Sequence, residues 1–220
     1  MGCSALLRAR VREYFPLVAF ALTLICLLDS VASAQTSAVQ WTNLVNATAT
    51  GSALQKTGGC SGCPDAGATS VETLNQGDGF VEFVPLSGAR LYAGLGTNAT
   101  TNTDPASIDF AFSFWPDGGW DVREQNVYRT EGRFVSGDVF RVAIVSGAVK
   151  YFQNGALVYS SLVQPGPSLV LDTTLIGAGA TLTSATTSVS VAPIADRAAV
   201  IASSNSGTNV SSEIVRVTAP

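Results

Sequence analysis

The 220-residue sequence contains no histidine. This absence excludes a Ser-His-Asp triad, a Cys-His dyad and any metal site built on imidazole ligands. Charged residues make up only 13% of the chain, against a usual share of about 25%, so charge-driven disorder is excluded for most of it. Lysine and arginine number 12 against 16 acidic residues, with no strong basic run, so we expect no nucleic-acid partner.

Long helical patterns are also missing. No window of helical length shows an apolar period of 3.6 with capping residues. The 21 glycines and the many Ser, Thr, Ala and Val suit strands and turns instead. Short alternating runs such as Phe80–Val84 follow one another between residues 39 and 188, broken by turn residues. This pattern predicts an all-β sandwich or barrel.

Two local patterns make the strand prediction specific. The run from Ile108 to Phe114 alternates, which predicts Ile108 and the phenylalanines on one face and Asp109, Ala111 and Ser113 on a wet or loosely covered face. Asn154-Gly155 lies between two apolar runs, which is the strongest short-range signal for a hairpin with a type I′ turn. Residues 139–159 are therefore predicted to form a three-stranded meander.

The first 34 residues read as a targeting segment. Three arginines precede a twelve-residue apolar run, and Ala32-Ser33-Ala34 supplies the small residues of a cleavage site. The apolar run is shorter than the roughly 20 residues of a spanning helix. We predict a signal peptide over 1–34, a secreted or periplasmic location and no membrane span in the mature chain. An uncleaved anchor is the alternative.

After cleavage, Cys60 and Cys63 are the remaining cysteines. A disulfide is the default for such a pair in an oxidising compartment. Free thiols and redox or metal chemistry stay open, but glycines surround the pair, nothing helical follows it, and a second pair of zinc ligands is missing. We therefore predict a Cys60–Cys63 disulfide and no metal site.

A family resemblance covers most of the mature chain. Residues 137–142, residues 147–155 and Tyr159 resemble the "GD…F.V…G.V.Y..NG…Y" run of concanavalin A-like lectin and glucanase sandwiches and of the related SPRY domains. The likeness spans about 39–188, and other stretches of the chain fit the version found in secreted bacterial proteins. It implies a two-sheet antiparallel jelly roll over 35–188, with 189–220 as a C-terminal tail or an extra edge strand.

Catalysis is not expected, and no catalytic residue is assigned. A glycosidase on this fold needs two carboxylates about 5–9.5 Å apart, which on one strand requires acids at i and i+2 or i+4. Glu82 stands alone among apolar residues, and Asp109 has Ala111 and Ser113 as its neighbours on the same face. Asp121 and Glu124 are three residues apart and should face opposite sides of a strand.

Two loops offer candidate ligand contacts. Trp115, Asp117 and Trp120 lie in or beside a short turn, where an indole can stack on a sugar ring and a carboxylate can accept hydroxyl hydrogen bonds. The alternative is that one or both tryptophans belong to the core. Asn102 and Asp104 lie in a long polar loop whose oxygens suit Ca²⁺, but the loop lacks an ordered ligand spacing, which favours plain turn chemistry. No other cofactor is expected.

These expectations favour a secreted, non-catalytic binding module. The resemblance implies a lectin-like role, with a glycan as the partner. The alternative is a structural or protein-recognition module, as SPRY domains are, with an extracellular protein surface as the partner. A glycan-cleaving enzyme is the third reading.

Overall fold

A computed structural model of the chain describes residues 35–75, 77–97 and 102–189. The predicted signal peptide and nearly all of the segment 189–220 lie outside the described residues. Within those ranges the chain forms two antiparallel sheets, which confirms the predicted two-sheet jelly roll. No helix in the described ranges has the length and apolar character required to cross a membrane.

The first sheet has eight strands. Seven run in the order β13-β12-β11-β6-β15-β4-β3, and β1 also pairs with β15. Their bounds are β1 Gln35–Ala38, β3 Ala47–Thr50, β4 Ala53–Lys56, β6 Gly79–Pro85, β11 Phe140–Val145, β12 Ala148–Gln153, β13 Ala156–Ser160 and β15 Thr181–Val189.

The second sheet has seven strands in the order β10-β9-β8-β7-β14-β5-β2. Their bounds are β2 Trp41–Val45, β5 Ala66–Asn75, β7 Leu91–Gly96, β8 Phe110–Phe114, β9 Gly119–Glu124, β10 Val127–Arg133 and β14 Ser168–Leu175. A 3-10 helix, Pro105–Ser107, precedes β8.

The predicted meander is confirmed. Strands β11, β12 and β13 pair in sequence order, and the β12–β13 turn is at Asn154 and Gly155. Their φ angles are 51° and 78°, the left-handed values that a type I′ turn requires at both central positions.

Aromatic side chains fill the space between the inner faces of the sheets. Phe112 packs edge-on against Phe140 at a ring-centroid distance of 4.9 Å and against Tyr151 at 5.3 Å. Phe83 and Phe114 join the same fully buried cluster. Such edge-to-face pairs stabilise the core beyond the effect of area burial alone.

The prediction for the outer face of β8 is wrong in two respects. Ala111 and Ser113 are fully buried, and Ile108 packs with Ala111, Tyr92 and Ile176 instead of with the phenylalanines. Ile108 caps the 3-10 helix and β8 begins only at Phe110, so the strand alternation does not extend back to it. The segment before β8 also contacts the outer side of this sheet, where the Thr174 hydroxyl donates to the Thr103 carbonyl oxygen.

Candidate functional site

Four loops meet at one end of the sandwich: residues 57–65, 86–90, 115–118 and 176–180. Backbone hydrogen bonds join three of them, from Gly62 N to the Ile176 oxygen and from Gly177 N to the Arg90 oxygen, both 2.9 Å long. Pockets with residues from all four loops open at this end. We call this region the loop end.

The first of these loops contains the predicted disulfide between Cys60 and Cys63, which the structure confirms. A buried lysine secures the loop. Lys56 Nζ lies 2.6 Å from Asp65 Oδ1 and also donates to the carbonyl oxygens of Cys63, Leu175 and Ile176. The hydrogen bond from Lys56 and that from Cys60 N hold the pKa of Asp65 below its usual range. This role of Lys56 was not predicted from the sequence.

Trp120 belongs to the core, which was the alternative to a ligand contact for this residue. Its side chain is 4% exposed, and its ring packs edge-on against Phe112 at 5.4 Å. The indole Nε1 donates to the Arg133 carbonyl oxygen and to Gln153 Oε1. An indole enclosed in this way has no free face for a sugar.

Trp115 lies on the opposite, outer side of the same sheet and is half-buried. Its Nε1 donates to Asp121 Oδ2 at 3.3 Å, and the Arg90 guanidinium stacks 4.0 Å from the centre of its ring. Arg123 in turn binds Asp121 through two nitrogens, at 3.0 and 3.2 Å, and this hydrogen bonding raises the pKa of Arg123. The indole is therefore positioned by a polar network.

A pocket of about 600 Å³ opens beside Trp115. We call it the Trp115 pocket; its side chains include Trp115, Pro116, Asp117, Asp121, Glu131 and Arg133. Asp117 is largely exposed and pairs with Arg133 at 3.2 Å. The structure thus brings Trp115 and Asp117 together in this pocket, and buried Trp120 is also among its lining residues.

Asn102 and Asp104 do not line this pocket. Asn102 Oδ1 accepts from Asp104 N at 3.0 Å, and Asp104 Oδ1 accepts from Ala106 N at 2.9 Å and caps the 3-10 helix. These bonds are the turn chemistry that the sequence allowed. Ca²⁺ binding here stays a prediction, and residues 98–101 of the same loop lie outside the described ranges.

The acidic residues on β9 face opposite sides, as predicted. Asp121 contacts Trp115 and Arg123 on the outer side, whereas buried Glu124 lies 3.4 Å from the Tyr151 hydroxyl and 2.9 Å from Arg129. Two carboxylates of the Trp115 pocket, Asp117 and Asp121, are each held by an arginine. The exposed carboxylate of Asp117 can therefore accept hydrogen bonds from a ligand.

Asp172, on β14, is a buried carboxyl that the sequence did not reveal. It is 2% exposed, on the outer side of the sheet close to Gly96. Burial raises its pKa to about 7, with a further contribution from Asp109. The carboxyl therefore carries a proton through most of the acidic range.

Comparison with known proteins gives the fold. No protein-family model and no curated protein matches the sequence. Among solved structures, the SPRY domain of human HERC1 matches with a TM-score of 0.50 at 10% identity, over 66% of this chain and 96% of that one. The metal-free Emp46p carbohydrate recognition domain gives 0.50 at 9% identity, over 70% and 89%. The TRIM65 PSpry domain gives 0.50 at 11% identity, over 67% and 91%. The chain therefore has the concanavalin A-like jelly-roll fold that lectin and SPRY domains share.

Proposed function

We propose that this protein is an exported, non-catalytic module that binds carbohydrate in the Trp115 pocket. One observation carries the proposal: a pocket of about 600 Å³ is lined by both the Trp115 indole and the exposed carboxylate of Asp117. The indole is half-buried and is held by a hydrogen bond to Asp121. The Emp46p domain, which has a similar fold, is a carbohydrate recognition domain, and this supports carbohydrate as the ligand.

The chemistry of the pocket fits a sugar. An indole provides the apolar surface on which the C–H face of a pyranose packs. Asp117 and Glu131 provide oxygens that accept hydrogen bonds from sugar hydroxyls, and Arg133 provides donors. A few polar groups around one aromatic ring are the usual composition of a small-ligand site.

Export is part of the proposal. It rests on the segment 1–34 and is supported by the disulfide, which persists in oxidising compartments. N-terminal sequencing of exported protein should begin at Gln35. A mature chain that retains Met1 would contradict this part.

Recognition of an extracellular protein is the second candidate. The observation that favours it is the match to two SPRY domains at the same TM-score as the carbohydrate recognition domain. In that case the loop end would be a contact surface, and the Trp115 pocket would receive a side chain of the partner.

A glycan array separates these candidates, with and without a Ca²⁺ chelator to test the Ca²⁺ expectation for Asn102 and Asp104. We expect selected glycans to bind the wild type, and Trp115→Ala and Asp117→Ala to weaken binding at least ten-fold while thermal melting remains cooperative. Trp41→Phe is the matched control, because Trp41 lies on β2 at the far edge of the sheet. Absence of any glycan binding would favour protein recognition.

A further inference from the structure

Arg90 differs from the other described arginines in having no carboxylate partner. The other four described arginines each form a salt bridge with an aspartate or glutamate: Arg123, Arg129, Arg133 and Arg141. Arg90 forms no salt bridge with any described residue. Arg90 is half-buried, in the loop that leads into β7. A partly desolvated guanidinium without a counter-charge has an unused capacity to bind an anion.

The guanidinium of Arg90 is also held in place. It stacks on the Trp115 ring at 4.0 Å, and its Nη2 donates to the Tyr92 hydroxyl at 2.6 Å. Its Nε is buried and has no hydrogen-bond partner among the described residues. Because the group is oriented before a ligand arrives, little side-chain entropy remains to be lost on binding.

Arg90 lines a second pocket, of about 470 Å³, which we call the Arg90 pocket. Arg90 is the only charged residue among its lining residues, which otherwise are small or apolar and include Ser61, Ala89, Pro116 and Ile176. The nearby carboxylates are already engaged, Asp65 by Lys56 and Asp117 by Arg133. The Ser61 hydroxyl offers one more donor for an anion.

The two pockets are neighbours. Pro116 lines both, and Trp115 lines the first pocket while Arg90 stacks on its ring and lines the second. A ligand of two or more sugar units could therefore place one ring in the Trp115 pocket and a substituent in the Arg90 pocket.

We propose that the ligand is an acidic glycan, a chain that contains a uronic or sialic acid, with its carboxylate bound by Arg90. This inference rests on the proposed carbohydrate-binding function and adds the charge class of the sugar. A planar guanidinium can bind a carboxylate through two parallel hydrogen bonds, a geometry that neutral sugars do not offer. The protein as a whole has a net charge of −4, so the selectivity for an anion would come from this one site.

The test uses probe pairs that differ in charge, by calorimetry at physiological salt: trigalacturonic acid against its methyl ester, and 3′-sialyllactose against the methyl ester of its sialic acid carboxylate. We expect one acidic member to bind at least ten-fold more tightly than its neutral partner. Arg90→Gln should abolish that preference, and Arg90→Lys should retain part of it. Arg141→Gln is the matched control, because it also removes one positive charge but lies in the other sheet, beside Glu82.

The outcomes distinguish the two proposals. Neutral probes that bind as well as the acids would overturn the Arg90 inference and leave the carbohydrate-binding function standing. A preference for acids that survives in Arg90→Gln would overturn the assigned site. If no probe binds and no array glycan binds, both proposals fail. Should Arg90→Gln not fold, the wild-type preference and Arg90→Lys decide the result.

Discussion

The inner and outer faces of the seven-stranded sheet use the same residue type in opposite ways. Trp120 and Trp115 are five positions apart, on either side of one tight turn. The inner tryptophan is enclosed by aromatic rings and bonded to fixed backbone and amide oxygens. The outer one is held between an aspartate and an arginine beside an open pocket.

The difference between the faces concerns which groups are satisfied within the fold. On the inner face, the aromatic rings pack against one another, and Arg129 pairs with the buried Glu124 carboxylate. On the outer face, the Ser113 hydroxyl and Arg90 Nε are buried without a partner among the described residues. Each buried polar group without a hydrogen bond lowers the free energy of unfolding by about 1–3 kcal/mol. Groups of this kind therefore point to a role in binding rather than in folding.

The largest expected effect tests this comparison directly. Trp120→Ala should lower the free energy of unfolding by about 3–5 kcal/mol, because it empties a large core site. Trp115→Ala should lower it by only about 1–2 kcal/mol, since it removes one cation–π contact and one hydrogen bond. Urea unfolding measures both values. Equal losses would show that Trp115 stabilises the fold as much as the core residue Trp120 does.

The next largest effect on stability comes from the buried carboxyl of Asp172, and it depends on pH. The unfolded carboxyl ionises near 3.8 but the folded one only near 7, so folding retains a proton in this interval. Stability should therefore fall as the pH rises from about 4 to about 7 and stay low above that range. Asp172→Asn removes the cost and should stabilise the protein by up to about 4 kcal/mol at pH 8, at about 1.4 kcal/mol per pKa unit.

Melting temperatures at pH 4.5 and pH 8 check this prediction. The difference in stability between the variant and the wild type should be much smaller at the lower pH, where the folded Asp172 side chain is protonated and neutral. Asp78→Asn, at an exposed position, is the control. A gain from Asp172→Asn that is the same at both pH values would speak against burial as the cause.

Gly132 contacts the Trp120 ring on the inner face and offers a second test of the packing there. A Cβ at this position would collide with the Trp120 ring. Gly132→Ala should therefore cost about 1–3 kcal/mol through overpacking. In a Trp120→Phe background the penalty should shrink, because the smaller ring vacates the space, and a double-mutant cycle measures this coupling. Additive effects would mean that the two residues do not contact each other.

The smallest expected effect concerns the disulfide at the loop end. Replacing Cys60 and Cys63 with serine should cost less than about 2 kcal/mol, because the closed loop is very short. The bonds from Lys56 and from Gly62 N continue to hold the loop. Denaturant unfolding measures the cost, and thiol titration of unreduced, unfolded wild-type protein should find no free thiol in this pair.

Much of the fold could be predicted because its signals are local. Strand alternation and the Asn154-Gly155 turn act within a few residues, and the meander follows from them. The alternation also placed Phe110, Phe112 and Phe114 together, and its continuation would have put Trp115 on the outer face. Ile108 was misplaced because a 3-10 helix interrupts the pattern just before β8.

The rest of the candidate site depends on contacts distant in sequence. Lys56 binds carbonyl groups 119 and 120 residues away, and the Arg90 pocket combines four separate loops. Nothing near Arg90 in the sequence shows that Trp115 will lie under its guanidinium. Strand register brings these residues together, and a single sequence does not reveal register over such distances.

The positions of β14 and β15 determine when the domain can fold. Although they are the last two described strands, β14 lies between β5 and β7 and β15 lies between β4 and β6, in the interior of each sheet. Their partners lie far earlier in the chain, the most distant being Gln35, which pairs with Val189, so most long-range pairing waits for residues 168–189. We therefore expect slow folding from a chain that stays open until these strands have been synthesised. Such late pairing would keep the chain open for the export that we propose.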